Sequence, residues 1–179
     1  MKKLRPDELG RPSPAELGAL PRHPLVVVLD RVRSAYNVGS IFRTADAARA
    51  VHVFVTGFTP TPEHRKVAKT ALGAEDTVPW SYEADAAALL DRLRAEGYTI
   101  AALEQTDRPT RIDAVALADF PLALVLGNEV DGVQQALLDR CDLAFEIPQY
   151  GAKHSLNVSV AFGIAALGLV ERWRATLSA

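Results

Sequence analysis

The chain of 179 residues is long enough to bury a core and most simply forms one domain. Hydrophobic residues make up 49% and charged residues 23%, a composition that excludes a disordered chain and is ordinary for a soluble globular protein. The formal net charge of −2 argues against a non-specific nucleic-acid coat, although it leaves room for a local basic patch.

The single cysteine, Cys141, excludes an internal disulfide and fits a reducing cytosol. The four histidines and Cys141 never fall at the spacings of metal ligands, so we expect no metal site. The N-terminal stretch has Pro, Asp and Glu where a signal peptide needs an apolar core, and no uninterrupted apolar run of about 18 residues exists. We therefore expect a cytoplasmic protein without a membrane segment.

The first element in chain order is a short helix within an N-terminal extension, residues 1–22. In "SPAELGAL", Ser13 is the expected N-cap, Pro14 takes the first helical position and Glu16 completes a capping box. The stretch "PLVVVLD" (24–30) follows as a continuous β-branched run, typical of a strand that is covered on both faces.

Strands and helices alternate along the rest of the chain. Helical composition is found at 34–50 and an amphipathic helix is expected at 83–97, whereas strands are expected at 51–57, 98–104, 121–127 and 143–148. This alternation predicts an α/β domain over 1–179, with a mostly parallel sheet flanked by helices. Ligands of such sheets lie beyond the carboxyl ends of the strands, so the loops that follow the strands are the candidate sites.

The first of these loops reads "DRVRSAYNVGSIFRTADAARA". A purely structural interpretation makes Asn37 a helix N-cap and pairs Arg43 with Asp46 on the surface. A functional interpretation places Arg43 inside a helix whose N-terminus points at an anion site, where its planar fork of donors matches phosphate or ribose oxygens. This loop alone favours the structural interpretation.

The second loop reads "LVLGNEVDGVQQALL". Gly127 supplies a permissive backbone at the strand end, and Asp131 with Gln134 has the pattern of a capping box. Neither feature explains Glu129, an acid just beyond an apolar strand. A carboxylate there could hold an arginine or accept a hydrogen bond from a ribose hydroxyl.

The third stretch, "IPQYGAKHSLNVSVAFGIAALGLVERW", is apolar on nearly every side of a helix from Leu156 onward. This pattern predicts a fully buried last helix, with Ser155 as its N-cap. Asn157 and Ser159 then enter the buried helix and each needs a hydrogen-bond partner elsewhere, because an unpaired buried polar group costs roughly 1–3 kcal/mol.

Together, "NVGSIFRTA", "LGNEVDGV" and "IPQYGAKHSLNVSVA" resemble the three motifs of the TrmH/SpoU type of the SPOUT superfamily, which are RNA ribose 2′-O-methyltransferases. The resemblance runs from about Leu25 to the C-terminus. It implies a C-terminal trefoil knot, S-adenosylmethionine (AdoMet) as cofactor and a homodimer. The catalytic residues that it implies are Asn37, Arg43, Glu129, Ser155 and Asn157. The cofactor-binding residues that it implies are Leu103, Gly127, Ile147, Pro148 and Leu156.

The resemblance leaves the chemistry of the base open. Arginine is effectively always protonated, so we expect Arg43 to act first as a clamp on phosphate and hydroxyl and only second as a base. We expect a surface role for His154. The substrate is expected to be RNA, with tRNA favoured over rRNA.

RNA affinity is expected from basic residues around the proposed loops. The candidates are Lys2, Lys3, Arg5, Arg11, Arg31, Arg33, His64, Arg65, Lys66, Lys69, Arg108 and Arg111. Two rival functions remain: a catalytically silent RNA-binding module on the same fold, and an α/β enzyme acting on a small molecule. Saturable binding of AdoMet would argue against the first, and methyl transfer to RNA would argue against the second.

Overall fold

The computed structural model describes residues 1–177, which form six strands and seven helices with three short 3₁₀ turns. The strands are β1 His23–Asp30, β2 Ala50–Thr56, β3 Trp80–Glu83, β4 Thr99–Leu103, β5 Leu122–Leu126 and β6 Leu143–Phe145. The helices are α1 Pro14–Ala19, α2 Ala35–Ala47, α3 Arg65–Ala71, α4 Ala74–Thr77, α5 Ala86–Ala95, α6 Gln135–Leu138 and α7 Val158–Leu177. The 3₁₀ turns are Pro6–Glu8, Ile112–Ala114 and Leu117–Asp119.

All strand pairs of the sheet are parallel, in the order β3-β2-β1-β5-β4-β6. Side chains of β1 alternate between two cores, because successive residues of a strand point to opposite faces. Val27 and Leu29 pack with α2, α3 and α7 on one face. Val26 and Val28 pack with α5 and α6 on the other. The prediction of a parallel α/β sheet with helices on both faces is confirmed.

The five predicted strands are present, and none of their ends differs from the expected one by more than three residues. The edge strand β3 and the helices α3 and α4 were not predicted. The segment "WSYE" is a short edge strand without an apolar run, and "RKVAKTA" lacks the periodicity of an amphipathic helix. The helix expected at 83–97 is shorter, since Glu83 ends β3 and the Asp85 side chain caps the helix at its start.

The capping box at the start of α1 forms as predicted, with the Ser13 side chain accepting from the Glu16 N–H. The expectation of a fully buried last helix is wrong for the single chain. Val160, Ile164 and Leu167 of α7 are each about half exposed. Their i, i+4, i+7 spacing puts them on one stripe of the helix. Within residues 1–177, no helix is long and apolar enough to cross a membrane.

Candidate active site

Two of the candidate loops meet at Glu129, which follows β5. Its Oε2 accepts a hydrogen bond from the Arg33 N–H at 2.8 Å, and its Oε1 accepts from the Ser34 N–H at 3.0 Å and from Asn37 Nδ2 at 2.8 Å. Arg33 and Ser34 immediately precede α2, so the carboxylate ties the loop after β5 to the start of this helix. Three donors on one carboxylate leave little capacity for Glu129 to take part in proton transfer.

These donors also set the charge of Glu129. Partial burial would raise the pKa of Glu129, but the hydrogen bonds from the Arg33 and Ser34 amides and the Asn37 side chain together outweigh it, and the pKa lies below its ordinary value. The group is therefore a carboxylate at neutral pH, held as an acceptor by its neighbours.

The third loop joins through Asn157. Its Nδ2 donates to Asn37 Oδ1 at 3.1 Å, so one hydrogen-bond chain runs from Asn157 through Asn37 to Glu129. The Asn157 Oδ1 accepts from the Ser159 N–H at 2.9 Å and from Ser159 Oγ at 2.6 Å. Asn157 thus caps α7 and anchors it to α2, and it supplies the partner that Ser159 needed.

Two expectations about helix caps are corrected by this arrangement. Asn157, and not Ser155, caps α7. Ser34, and not Asn37, caps α2, with its Oγ accepting from the Asn37 N–H at 3.4 Å. The Asn37 side chain is free of the capping role and can bridge Glu129 and Asn157 instead.

The loop after β5 is organised by Asn128, which is only 7% exposed. Its Nδ2 donates to the Arg31 carbonyl at 2.9 Å, and its Oδ1 accepts from the Val130 N–H at 2.8 Å and the Asp131 N–H at 3.2 Å. The capping box expected from Asp131 and Gln134 is absent among the described residues, since α6 begins at Gln135 without a side-chain cap. Asn128 thus makes the side-chain hydrogen bonds to the backbone of this loop that the pattern suggested for Asp131.

Gly127 and Gly132 allow this loop to fold tightly on itself. Gly132 has a φ of +69°, a left-handed conformation that favours glycine. A Cβ on Gly127 would overlap the backbone of Gly132 and Val133. The close approach that Gly127 permits is therefore to its own chain.

A cavity of about 390 Å³ lies at the carboxyl ends of β4, β5 and β6, the edge predicted for ligand binding. Its walls combine apolar side chains, among them Leu103, Phe145 and Ile147, with the carboxylates of Glu104, Glu129 and Glu146. Among residues 1–177, no lysine or arginine lines it. A cavity with this lining suits a ligand that carries positive charge and an apolar part, and not one held by its phosphates.

Most of the predicted site residues surround this cavity. Its lining includes Leu103, Gly127, Glu129, Ile147, Ser155, Leu156 and Asn157. Pro148 instead lines a second cavity, between the turn Ile112–Ala114 and the C-terminal half of α7. Asn37 stands behind Glu129 in the hydrogen-bond chain.

Arg43 is not brought to the cavity. It is the ninth residue of α2 and is exposed, and its side chain makes no hydrogen bond or ion pair within the described part of the chain. The pair with Asp46 that a structural interpretation proposed is not formed, because the Asp46 carboxylate accepts from the Thr77 hydroxyl at 2.7 Å. Arg43 is thus a free cation on the surface of α2.

Sequence reasoning missed two acids of the cavity. Glu104 accepts from the Val133 N–H at 2.9 Å and from the Gln105 N–H at 2.9 Å, and so joins the loop after β4 to the loop after β5. Glu146 comes directly after β6. In the structure both acids follow an apolar strand, as Glu129 does, but the predicted strands 98–104 and 143–148 included them, so the sequence did not show them as acids beyond a strand.

The basic residues expected to bind RNA fall into two groups. Some are neutralised by acids nearby: Lys2, Arg5, Arg31, Arg108 and Arg111. Others have no acidic partner within residues 1–177: Lys3, Arg11, Arg33, His64, Arg65, Lys66 and Lys69. Four residues of the second group lie on α3 or cap it, Arg33 lies just before α2, and Lys3 and Arg11 lie in the N-terminal extension.

The fold and the cavity define an α/β protein with an acidic cavity at the carboxyl edge of a parallel sheet. Residues 24–167 match the family described as "SpoU rRNA Methylase family". The chain belongs to this family, and the resemblance to TrmH/SpoU methyltransferases is confirmed.

Similar proteins agree with this assignment. A Staphylococcus haemolyticus protein assigned to the TrmH family of tRNA/rRNA methyltransferases is 38% identical over 83% of this chain and 58% of its own length. A 23S rRNA (guanosine-2′-O-)-methyltransferase of Ralstonia nicotianae, RlmB, is 35% identical over 83% of this chain and 59% of its own.

Among solved structures, the AdoMet-bound rRNA methyltransferase of Sinorhizobium meliloti has a TM-score of 0.78 and 28% identity, over 87% of this chain and 59% of that one. The chain therefore spans about three fifths of the length of these proteins.

Proposed function

We propose that the protein transfers the methyl group of AdoMet to the 2′-hydroxyl of a ribose in RNA. The observation that carries the proposal is the acidic cavity at the carboxyl ends of β4, β5 and β6. AdoMet has a cationic sulfonium, an ammonium and an aromatic base, which match the three carboxylates and the apolar walls. When bound, it supplies an electrophilic methyl group. Leu103, Gly127, Ile147 and Leu156 are proposed to hold it, with Pro148 supporting the loop from outside.

The residues of this chain have separate roles in the proposal. Glu129 and Asn37 hold the loops in place, because their hydrogen-bonding groups are engaged with each other and with the start of α2. Ser155 is proposed to contact the ribose, since it lines the cavity and its hydroxyl has no partner among residues 1–177. Asn157 has one amide hydrogen left for the substrate. Arg43 is proposed as the clamp on phosphate and hydroxyl; because it lies outside the cavity of its own chain, this role requires the RNA strand to run from the cavity over α2.

Equilibrium titration with AdoMet, followed by nucleoside analysis of RNA after incubation, tests this function. We expect saturable AdoMet binding and a 2′-O-methylated nucleoside after digestion of tRNA. Transfer RNA is the proposed substrate and rRNA is the alternative, since the name of the Staphylococcus haemolyticus relative includes both RNAs and the name of the Ralstonia nicotianae relative gives 23S rRNA. Absence of AdoMet binding would leave a silent RNA-binding module, and methyl found on a base would refute the proposed ribose chemistry.

A homodimer and a trefoil knot at the C-terminal segment belong to the same proposal, as does a cytoplasmic location for a single domain with an N-terminal extension. The exposed apolar stripe of α7 supports the dimer, because burying Val160, Ile164 and Leu167 against a second copy would remove them from water. Leu167→Glu should give a monomeric mass by light scattering. Leu20→Glu, at a similarly exposed leucine after α1, is the matched control and should leave the mass of the dimer unchanged.

A further inference from the structure

Tyr36 is an exposed aromatic residue in the first turn of α2, directly before Asn37 of the site. Its side chain is 49% exposed. Ser40 and Arg43 lie four and seven residues further along the same helix, and residues seven apart are rotated by only about 20°. Tyr36, Ser40 and Arg43 thus form one ridge on the surface of α2, which we call the α2 ridge.

A second helix brings positive charge to this ridge. The Lys66 Nζ of α3 lies 5.9 Å from the centroid of the Tyr36 ring, at the outer limit of a cation–π contact. The two helices come this close because residue 39 is a glycine: a Cβ there would overlap the Thr70 hydroxyl and the Val67 carbonyl of α3. The packing of α2 on α3 therefore sets Lys66 beside the ring.

The cations on and beside the α2 ridge make no ion pair within the described part of the chain. Neither Arg43 nor Lys66 has an acidic partner within residues 1–177, and the side chain of Arg33, just before the helix, has none either. An exposed aromatic ring with unpaired cations nearby is the combination that binds single-stranded nucleic acid, with bases stacked on the ring and phosphates held by the cations.

We propose that the α2 ridge, together with Lys66, receives unpaired nucleotides of the RNA, with the Tyr36 ring as the stacking platform. This inference rests on the proposed function, and it adds the class of substrate: the nucleotides next to the methylated ribose lie in a single-stranded loop or bulge, because a paired base cannot be stacked on a side chain. Tyr36 to Arg43 spans about 10 Å along the helix. A base on the ring therefore leaves a phosphate of the same strand within reach of the guanidinium.

Binding of a fluorescein-labelled oligoadenylate of about 12 nucleotides to the full chain tests the proposal. Tyr36→Ala should weaken binding roughly ten-fold, whereas Tyr36→Phe should stay within about two-fold, since phenylalanine keeps the ring. Tyr82→Ala is the matched control: Tyr82 is 50% exposed but lies on the edge strand β3, and its loss should leave the affinity unchanged. A duplex RNA of the same length should bind Tyr36→Ala and wild type equally.

The charge of Lys66 is tested by the salt dependence of the same binding. Lys66→Ala should make the slope of log affinity against log salt shallower by about 0.7, the value for one lost phosphate contact on a single strand. Arg140→Ala removes an equal charge from the other face of the sheet, where α5 and α6 pack. This variant should leave the slope unchanged.

The failure of this inference can be told from the failure of the proposed function. A wild-type protein that binds neither RNA nor AdoMet would refute the function. Equal affinity of wild type and Tyr36→Ala for oligoadenylate would overturn only the stacking role of the Tyr36 ring. Tyr36→Ala with unchanged RNA affinity and a lower mass by light scattering would overturn it too, and would make the ridge a contact between two copies.

Discussion

The hydrogen-bond chain from Asn157 through Asn37 to Glu129 joins the cavity to α2, the helix of the α2 ridge, and the cavity and the ridge carry opposite charge. The cavity is lined by three carboxylates, whereas Arg43 and Lys66 on the ridge side have no acidic partner among the described residues. A net charge of −2 conceals this separation. Local placement therefore matters more than net charge, because one site suits a cationic cofactor and the other a polyanion.

The largest expected effect is that of replacing Arg43, on the ridge side of the molecule. Arg43→Ala should lower the rate of methyl transfer by about 10²-fold or more, as for other donors that stabilise developing charge, with little change in AdoMet affinity. Arg43→Lys should recover only part of the rate, since an ammonium cannot reproduce the planar fork. Single-turnover rates and calorimetry measure the two quantities. Near-normal turnover with weakened AdoMet binding in Arg43→Ala would assign the arginine to the cofactor instead.

The wall of the cavity is the next place to test. Gly127→Ala should destabilise the protein by about 1–3 kcal/mol and weaken AdoMet binding, because the new methyl group overlaps the backbone of Gly132 and Val133. Urea unfolding and calorimetry measure these effects. Gly18→Ala in α1 is the matched control, since no atom lies within 4 Å of its added Cβ, and it should not destabilise. Unchanged stability in Gly127→Ala would show that this loop yields easily.

The charge of the cavity is tested by Glu146→Gln, which keeps the size of the side chain and breaks no hydrogen bond within residues 1–177. Two unit charges about 8 Å apart interact by roughly 2 kcal/mol at an effective dielectric constant of about 20, and solvent in the open cavity screens part of this. We expect AdoMet affinity to fall roughly ten-fold. Binding of S-adenosylhomocysteine, whose sulfur is neutral, should fall less. An equal loss of affinity for both ligands would show that Glu146 does not act on the charge of the sulfonium.

The sequence predicts the sheet well, because parallel strands that are buried on both faces appear as continuous apolar runs. It also singles out Glu129, since an acid beyond such a run has no partner in its own segment, and the structure places the donors for this carboxylate at the start of α2. The bond between Asn37 and Asn157 joins residues 120 positions apart, and no local spacing indicates it. Lys66 beside Tyr36 depends on the close packing of α2 on α3 at Gly39, which only the structure shows.

The smallest expected effect concerns the carboxylate of Glu129, which lies between the cavity and α2. Its pKa in the folded protein lies below the ordinary value of 4.5, so its contribution to stability is complete above pH 4.5 and is lost as the pH falls through the folded-state pKa. Glu129→Gln leaves one of the three donors without its acceptor and should cost about 1 kcal/mol near neutrality.

Urea unfolding of wild type and Glu129→Gln over a series of pH values measures this contribution. The difference in unfolding free energy between the two proteins should be constant above pH 4.5 and should shrink below it, because protonation of the wild-type carboxylate weakens the same hydrogen bonds that the amide cannot replace. A difference that stays constant through the acid range would mean that the amides of Arg33 and Ser34 do not need a charged acceptor. Glu129 would then connect the cavity and the ridge through packing and neutral hydrogen bonds alone.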